Sequence, residues 1–230
     1  MACQKPKVDI VFCVDLARSM QNRLEDIKAF IISFWPELEE HYSQWNKEVS
    51  EIRAKVILFN NSSVQSEIQE SEFYNLKEAD NKEGFVSYIE SINPTNSLFK
   101  MNNAVKALLC AIQTKWKPDD VLERDFVRHI IVLFTGGNKN GEYEIDGFVA
   151  NEDNEYSLDM LTDIWNDGNY KHILSPRGKR LVLFAPQEFP WKEIFLTWNY
   201  VIWCSSSYGC KECSDNVCVN ELFEAIVSPI

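Results

Sequence analysis

What most constrains the fold of this chain is a short apolar run cut off by a carboxylate. Val8, Ile10, Val11, Phe12, Cys13 and Val14 lie within seven positions, and Asp15 follows them. The run is rich in β-branched residues and far too brief for a membrane span, so it predicts a strand buried on both faces in the middle of a parallel sheet. A polar turn with Ser19 then leads into a helical pattern. Ligands of open α/β sheets sit beyond the carboxyl ends of the strands, so the chemistry should be sought at Asp15 and Ser19.

The rest of the chain repeats that unit. Met20, Leu24, Ile27, Phe30, Ile31, Phe34 and Leu38 recur at helical spacing, with Ser19 as the expected N-cap and Pro36 expected to kink or end the helix. Val56–Phe59 predicts a second strand and 64–76 an antiparallel edge strand folded back as a hairpin. Helices are expected over 84–92 and, after the turn Asn93-Pro94-Thr95-Asn96-Ser97, over 98–112. His129–Thr135, Leu181–Ala185 and Tyr200–Cys204 predict further buried strands. An acidic loop spans 141–156, a helix is expected over 158–165, and another over 217–227 closes the chain. No repeat or linker divides the sequence. The reading is one domain over 1–230, an α/β Rossmann-like, doubly wound and mostly parallel sheet with helices on both faces. The cysteine-containing segment 204–230 belongs to that domain.

A formal net charge of −12 over 230 residues argues against nonspecific binding to nucleic acid or anionic membranes, both of which need a positive face. The opening run is broken at Asp15 and lacks a small-residue cleavage signal, so it does not read as a signal peptide. Seven cysteines, two of them (Cys13, Cys110) in apolar runs, suit a reduced cytoplasmic protein better than a disulfide framework.

A hydrophobic strand running into D-x-S-x-S resembles the opening of a von Willebrand factor type A (vWA) domain. The likeness is strongest over 8–20, 95–109 and 129–137. It implies an edge antiparallel strand in the 64–76 region and a metal-ion-dependent adhesion site, usually holding magnesium, at the carboxyl end of the sheet. That family takes an aspartate and two serines from the first loop, a threonine from a middle loop and an aspartate from a later one. Here Asp15, Ser19 and Thr95 match, with Ser97 nearly as well placed as Thr95. Ala17 stands for the first serine, and Thr135-Gly136-Gly137 stands for the usual T-D-G. With two of the five ligand positions lost, the favoured reading is a degenerate, inherited site in which Asp15, Ser19 and Thr95 cap helices and satisfy loop amides; the alternative is weak or partner-assisted magnesium binding.

Other constellations stand beside it. Asp15 with Thr135 is similar to the nucleophile pair of haloacid dehalogenase-like phosphatases, which makes a magnesium-dependent phosphatase the rival function. Gly136–Gly141 lacks the G-K-[ST] ending of a P-loop. Cys204, Cys210, Cys213 and Cys218 fall within fifteen residues. Four thiolates would satisfy structural zinc, Cys210 and Cys213 could form a redox pair, or all could be plain cysteines. His41, His129 and His172 are scattered and support no catalytic set. Pro190-Trp191 in a loop reads as an exposed anchor for a partner.

The resulting expectation is a noncatalytic vWA-like adaptor or scaffold, intracellular and part of a multi-protein signalling, stress or defence assembly. It would dock a protein partner through its carboxyl-end loops, at Arg18, Asn96, Ser97 and Asn138, without nucleic acid or membrane.

Overall fold

The computed structural model describes residues 5–59, 68–95, 104–117, 127–136, 158–166, 174–204, 222–224 and 226–227. Its centre is β1 (Lys7–Asp15), paired in parallel with β2 (Glu51–Phe59) on one side and β5 (Val127–Phe134) on the other. Parallel pairing continues outward to β6 (Lys179–Phe184) and β7 (Val201–Trp203). Two antiparallel pieces, β3 (Gln69–Glu70) and β4 (Tyr74–Asn75), cover the outer side of β2. This is the mostly parallel sheet expected, with its antiparallel edge broken in two. At the break the Ser71 hydroxyl accepts the Val56 N–H and donates to the Glu72 carbonyl.

Every residue of β1 after Lys7 is buried, because successive side chains feed opposite layers. Ile10, Phe12 and Val14 pack with α1 (Leu24–Gln44) and α2 (Ala79–Ser91), together with the helical residues Leu222, Phe223, Ile226 and Val227. Val11 and Cys13 pack with α3 (Ala104–Gln113), α4 (Leu158–Asn166) and α5 (Trp191–Thr197). Phe12 meets Phe34 of α1 edge to face at 5.5 Å between ring centres. Truncating such a core phenylalanine costs about 3–5 kcal/mol.

Four local expectations are corrected. Helix α1 runs through Pro36 to Gln44. Ile31, Phe34, Leu38 and Tyr42 hold its buried face, while Pro36 is exposed on the opposite side. Ser19 is not an N-cap: Arg18–Arg23 forms a 3-10 turn whose cap is Ala17, and Met20 N–H donates to the Ala17 carbonyl at 2.8 Å. Trp191 is no exposed anchor; it begins α5 and is 0% exposed. The large exposed apolar residues of that region are Phe189, Phe195 and Leu196. Helix α2 also starts five residues before Gly84, the expected beginning of its pattern.

The amino end of the sheet is closed by paired charges. The buried Asp9 carboxylate accepts from Arg53 Nε (2.8 Å) and Nη2, and from Lys117 N–H (2.7 Å). Lys117 in turn pairs through its ammonium with Glu51. His129 Nδ1 accepts from Ser175 N–H at 3.0 Å, so its proton sits on Nε2 and is donated to the Lys117 carbonyl at 3.0 Å. Burial pushes the His129 pKa down to about 4.

Candidate functional site at the carboxyl end of the sheet

The site grows out of strand register. Val14 lies between Leu58 and Phe134, so the next residue of each strand reaches the same end of the sheet: Asp15 beside Thr135. The chain then leaves β1 with Leu16 N–H donating to the Phe59 carbonyl at 2.8 Å. The Leu16 carbonyl accepts both the N–H (3.0 Å) and the hydroxyl (2.9 Å) of Thr95. Thr95 therefore fastens the turn after α2 onto the turn after β1, an arrangement that D-x-S-x-S and a distant threonine imply together.

Asp15 is 2% exposed. Its Oδ1 accepts from Ala17 N–H at 2.8 Å. Its Oδ2 accepts from the Thr135 hydroxyl at 3.2 Å and from Gly136 N–H at 3.4 Å. No salt bridge among the described residues involves Asp15. Burial pushes its pKa up to about 6, against the pull of those three donors. A carboxylate so enclosed, with both oxygens engaged, presents no exposed nucleophile for phosphoryl transfer.

Above it, Arg18 and Ser19 are exposed and Thr95 is half-buried. Ser19 Oγ lies 3.3 Å from where a Cβ on Gly136 would stand, so the loops after β1 and β5 touch. Asp15, Ser19 and Thr95 are thus brought to one end of the sheet, with Arg18 at its rim. Asn96, Ser97 and Asn138 lie outside the described residues, as do Cys210, Cys213 and Cys218. Cys204 is buried just after β7, its N–H donating to the Leu183 carbonyl at 3.0 Å. Among the described residues no three His, Cys, Asp or Glu side chains gather as a metal cluster. Two members of the site did not stand out in the sequence. Thr135 entered the sequence reading through the T-G-G run and as a phosphatase-like partner of Asp15, but its role as a hydrogen-bond donor to Asp15 follows from strand register. Met20, read as a helical core residue, packs on Gly136.

A family profile described as von Willebrand factor type A domain matches residues 9–156, well over half of the chain. No curated protein matches in sequence. Among solved structures, proximal thread matrix protein 1 from the mussel byssus aligns over 97% of this chain and 48% of its own, at 14% identity and TM-score 0.52. A form of that protein with a zinc-occupied MIDAS motif aligns at 15% identity and TM-score 0.50, again over 97% of this chain and 48% of its own. The pilus adhesin SpaC from Lactobacillus rhamnosus GG aligns at 11% identity and TM-score 0.51, over 98% of this chain and 31% of its own. These likenesses concern the fold, and this chain spans about half or less of the proteins it resembles.

Proposed function

Since the chain belongs to the von Willebrand factor type A domain family, we propose that it is a noncatalytic protein–protein interaction module that docks a partner through the loops at the carboxyl end of its sheet. One observation carries this reading. Thr95 is fastened to the Leu16 carbonyl by two hydrogen bonds, which sets the middle loop against the first loop and leaves Arg18 and Ser19 exposed on the surface they share. A rigid sheet that presents solvent-facing polar loops is suited to recognition. Arg18 offers a bidentate donor in a strongly acidic chain, which suits an acidic residue of the partner. The likeness to an adhesin fits the same class of work. We place the module inside the cell, in the cytoplasm, as an adaptor of a multi-protein signalling, stress or defence assembly, a reading that rests on the cysteine content and on the kinds of assembly such modules join.

A photo-crosslinker at position 18, compared with one at the exposed Trp45 at the far end of α1, tests the docking face. Position 18 should capture the partner and position 45 should not. Arg18→Glu and Asn96→Arg should weaken the complex without moving the melting temperature. Normal binding by both variants would remove this face from the proposal.

A further inference from the structure

The vWA family implies a hard divalent cation at this end of the sheet, and the residues present do not fit one. Magnesium needs near-octahedral oxygen coordination. Position 17 offers a buried methyl group and position 136 no side chain, while both Asp15 oxygens turn inward to Ala17, Thr135 and Gly136. The space tells the same story. A Cβ built on Gly136 would lie 2.9 Å from Met20 Sδ, closer than a real Cβ approaches another atom. Gly136 has no left-handed backbone to explain its glycine, so the constraint there is room and not conformation. Met20 is 2% exposed and fills that room. Its thioether is a soft group that a hard cation does not favour.

We propose that Met20 has replaced the ion as the clamp between the loop after β1 and the loop after β5. Where a cation would draw a serine of the first loop and an aspartate of the later loop together, this chain packs the Met20 thioether onto the bare Cα of Gly136. Ala17 removes one ligand, Gly136 removes another and makes space, and Met20 occupies it. The loop face is then assembled without divalent metal. The inference stands apart from the identity of any partner, and no partner enters its test.

The probe is Mg2+ or Mn2+ alone, read by melting temperature and by titration calorimetry at matched ionic strength. The wild-type chain should shift by less than about 1 °C at about 10 mM metal, and Ala17→Ser/Gly136→Asp with Met20 in place should gain little more. Adding Met20→Val to that pair should give a metal-dependent rise of about 5 °C, since binding to the folded state alone is what raises stability. A dose-dependent rise in the wild type that disappears in Asp15→Asn would overturn the proposal. So would a double variant that gains as much as the triple, or a triple variant that gains nothing. If the triple variant does not fold, a metal-free cycle decides. Gly136→Ala should destabilise the wild type and do so much less in a Met20→Val background, and additive effects would overturn the clamp.

Discussion

The two ends of the central strand each bury an aspartate six residues apart, and they treat it in opposite ways. At the amino end Asp9 meets the Arg53 guanidinium through two oxygens and takes a third donor from the Lys117 backbone. At the carboxyl end Asp15 is as deeply buried, yet its donors are two backbone amides and one hydroxyl, all neutral. The first places the carboxylate against a guanidinium; the second, with burial and only neutral donors, holds the Asp15 carboxyl up at about 6. His129 extends the contrast, since both its nitrogens are matched to main-chain groups of the loops that close the amino end. Charges there lock strand to strand. A buried carboxyl with only neutral donors, at the end where a parallel sheet exposes its loops, is a local cost of the kind found at functional sites.

The same substitution made at both ends should separate them most sharply. Asp9→Asn strands a partly buried guanidinium and should cost about 3 kcal/mol, the low end for breaking a buried pair, because Arg53 keeps some contact with water. Urea unfolding at pH 7.5 measures it, and a loss below about 1 kcal/mol would erase the contrast.

His129→Gln should cost about 2 kcal/mol at pH 8, from two buried hydrogen bonds and the packing of the ring on Trp116 at 4.9 Å. Because the folded state depresses the His129 pKa to about 4, its contribution is present above the unfolded value near 6.5 and fades as pH falls through 4. The penalty of the variant should therefore shrink on acidification. A penalty that stays constant from pH 8 to pH 4 would mean the imidazole titrates normally in the fold.

Asp15→Asn should move the other way. A carboxyl whose folded pKa is raised to about 6 contributes most below its unfolded value and loses that contribution as pH rises through 6. The neutral amide should thus stabilise the chain by about 1–2 kcal/mol at pH 8 and by almost nothing at pH 4, less than the full linkage value because its NH2 must meet the backbone N–H of either Ala17 or Gly136, which now donate to the carboxylate. Paired melts of variant and wild type across that range follow the difference, and destabilisation at pH 8 as large as that of Asp9→Asn would contradict the reading of Asp15 as uncompensated.

Thr95→Val should have the smallest effect, about 1 kcal/mol or less, because the Leu16 carbonyl keeps the Thr95 amide after the hydroxyl is gone. Hydrogen exchange of the Thr95 amide should nevertheless rise before any global change is seen. Unchanged exchange would show that the hydroxyl does not hold the loop.

Much of the fold was legible because β1, β2, β5 and β6 each contain a run of four or more apolar residues, as at 10–14, 56–59, 130–134 and 181–184, which points to a sheet covered on both sides. The errors came where a local signal met a stronger tertiary one. Pro36 is a helix breaker by its own chemistry, yet the buried row from Ile31 to Tyr42 carries α1 past it. Pro190-Trp191 looked like a loop, but the indole is worth more in the core than on the surface. At the candidate site, the family motif named Asp15, Ser19 and Thr95, and the structure brings these three to one end of the sheet. It could not show that Met20 leans on Gly136, since helical periodicity assigns Met20 to the core whether it packs on a helix or on a loop.

The break between β3 and β4 has a consequence for how this chain behaves in company. A strand arriving from another molecule recruits its neighbour by matching a row of free amides and carbonyls, one after another. Along the outer side of β2 that row is interrupted: two residues pair, the Ser71 hydroxyl takes the next amide, and two more residues pair farther on. Lys55 of β2 reaches across to Glu70, so a charge pair also sits where a flat stacking surface would be needed. This side of the described sheet is therefore a poor seed for strand addition, while β7, the edge at the other side, has no such break.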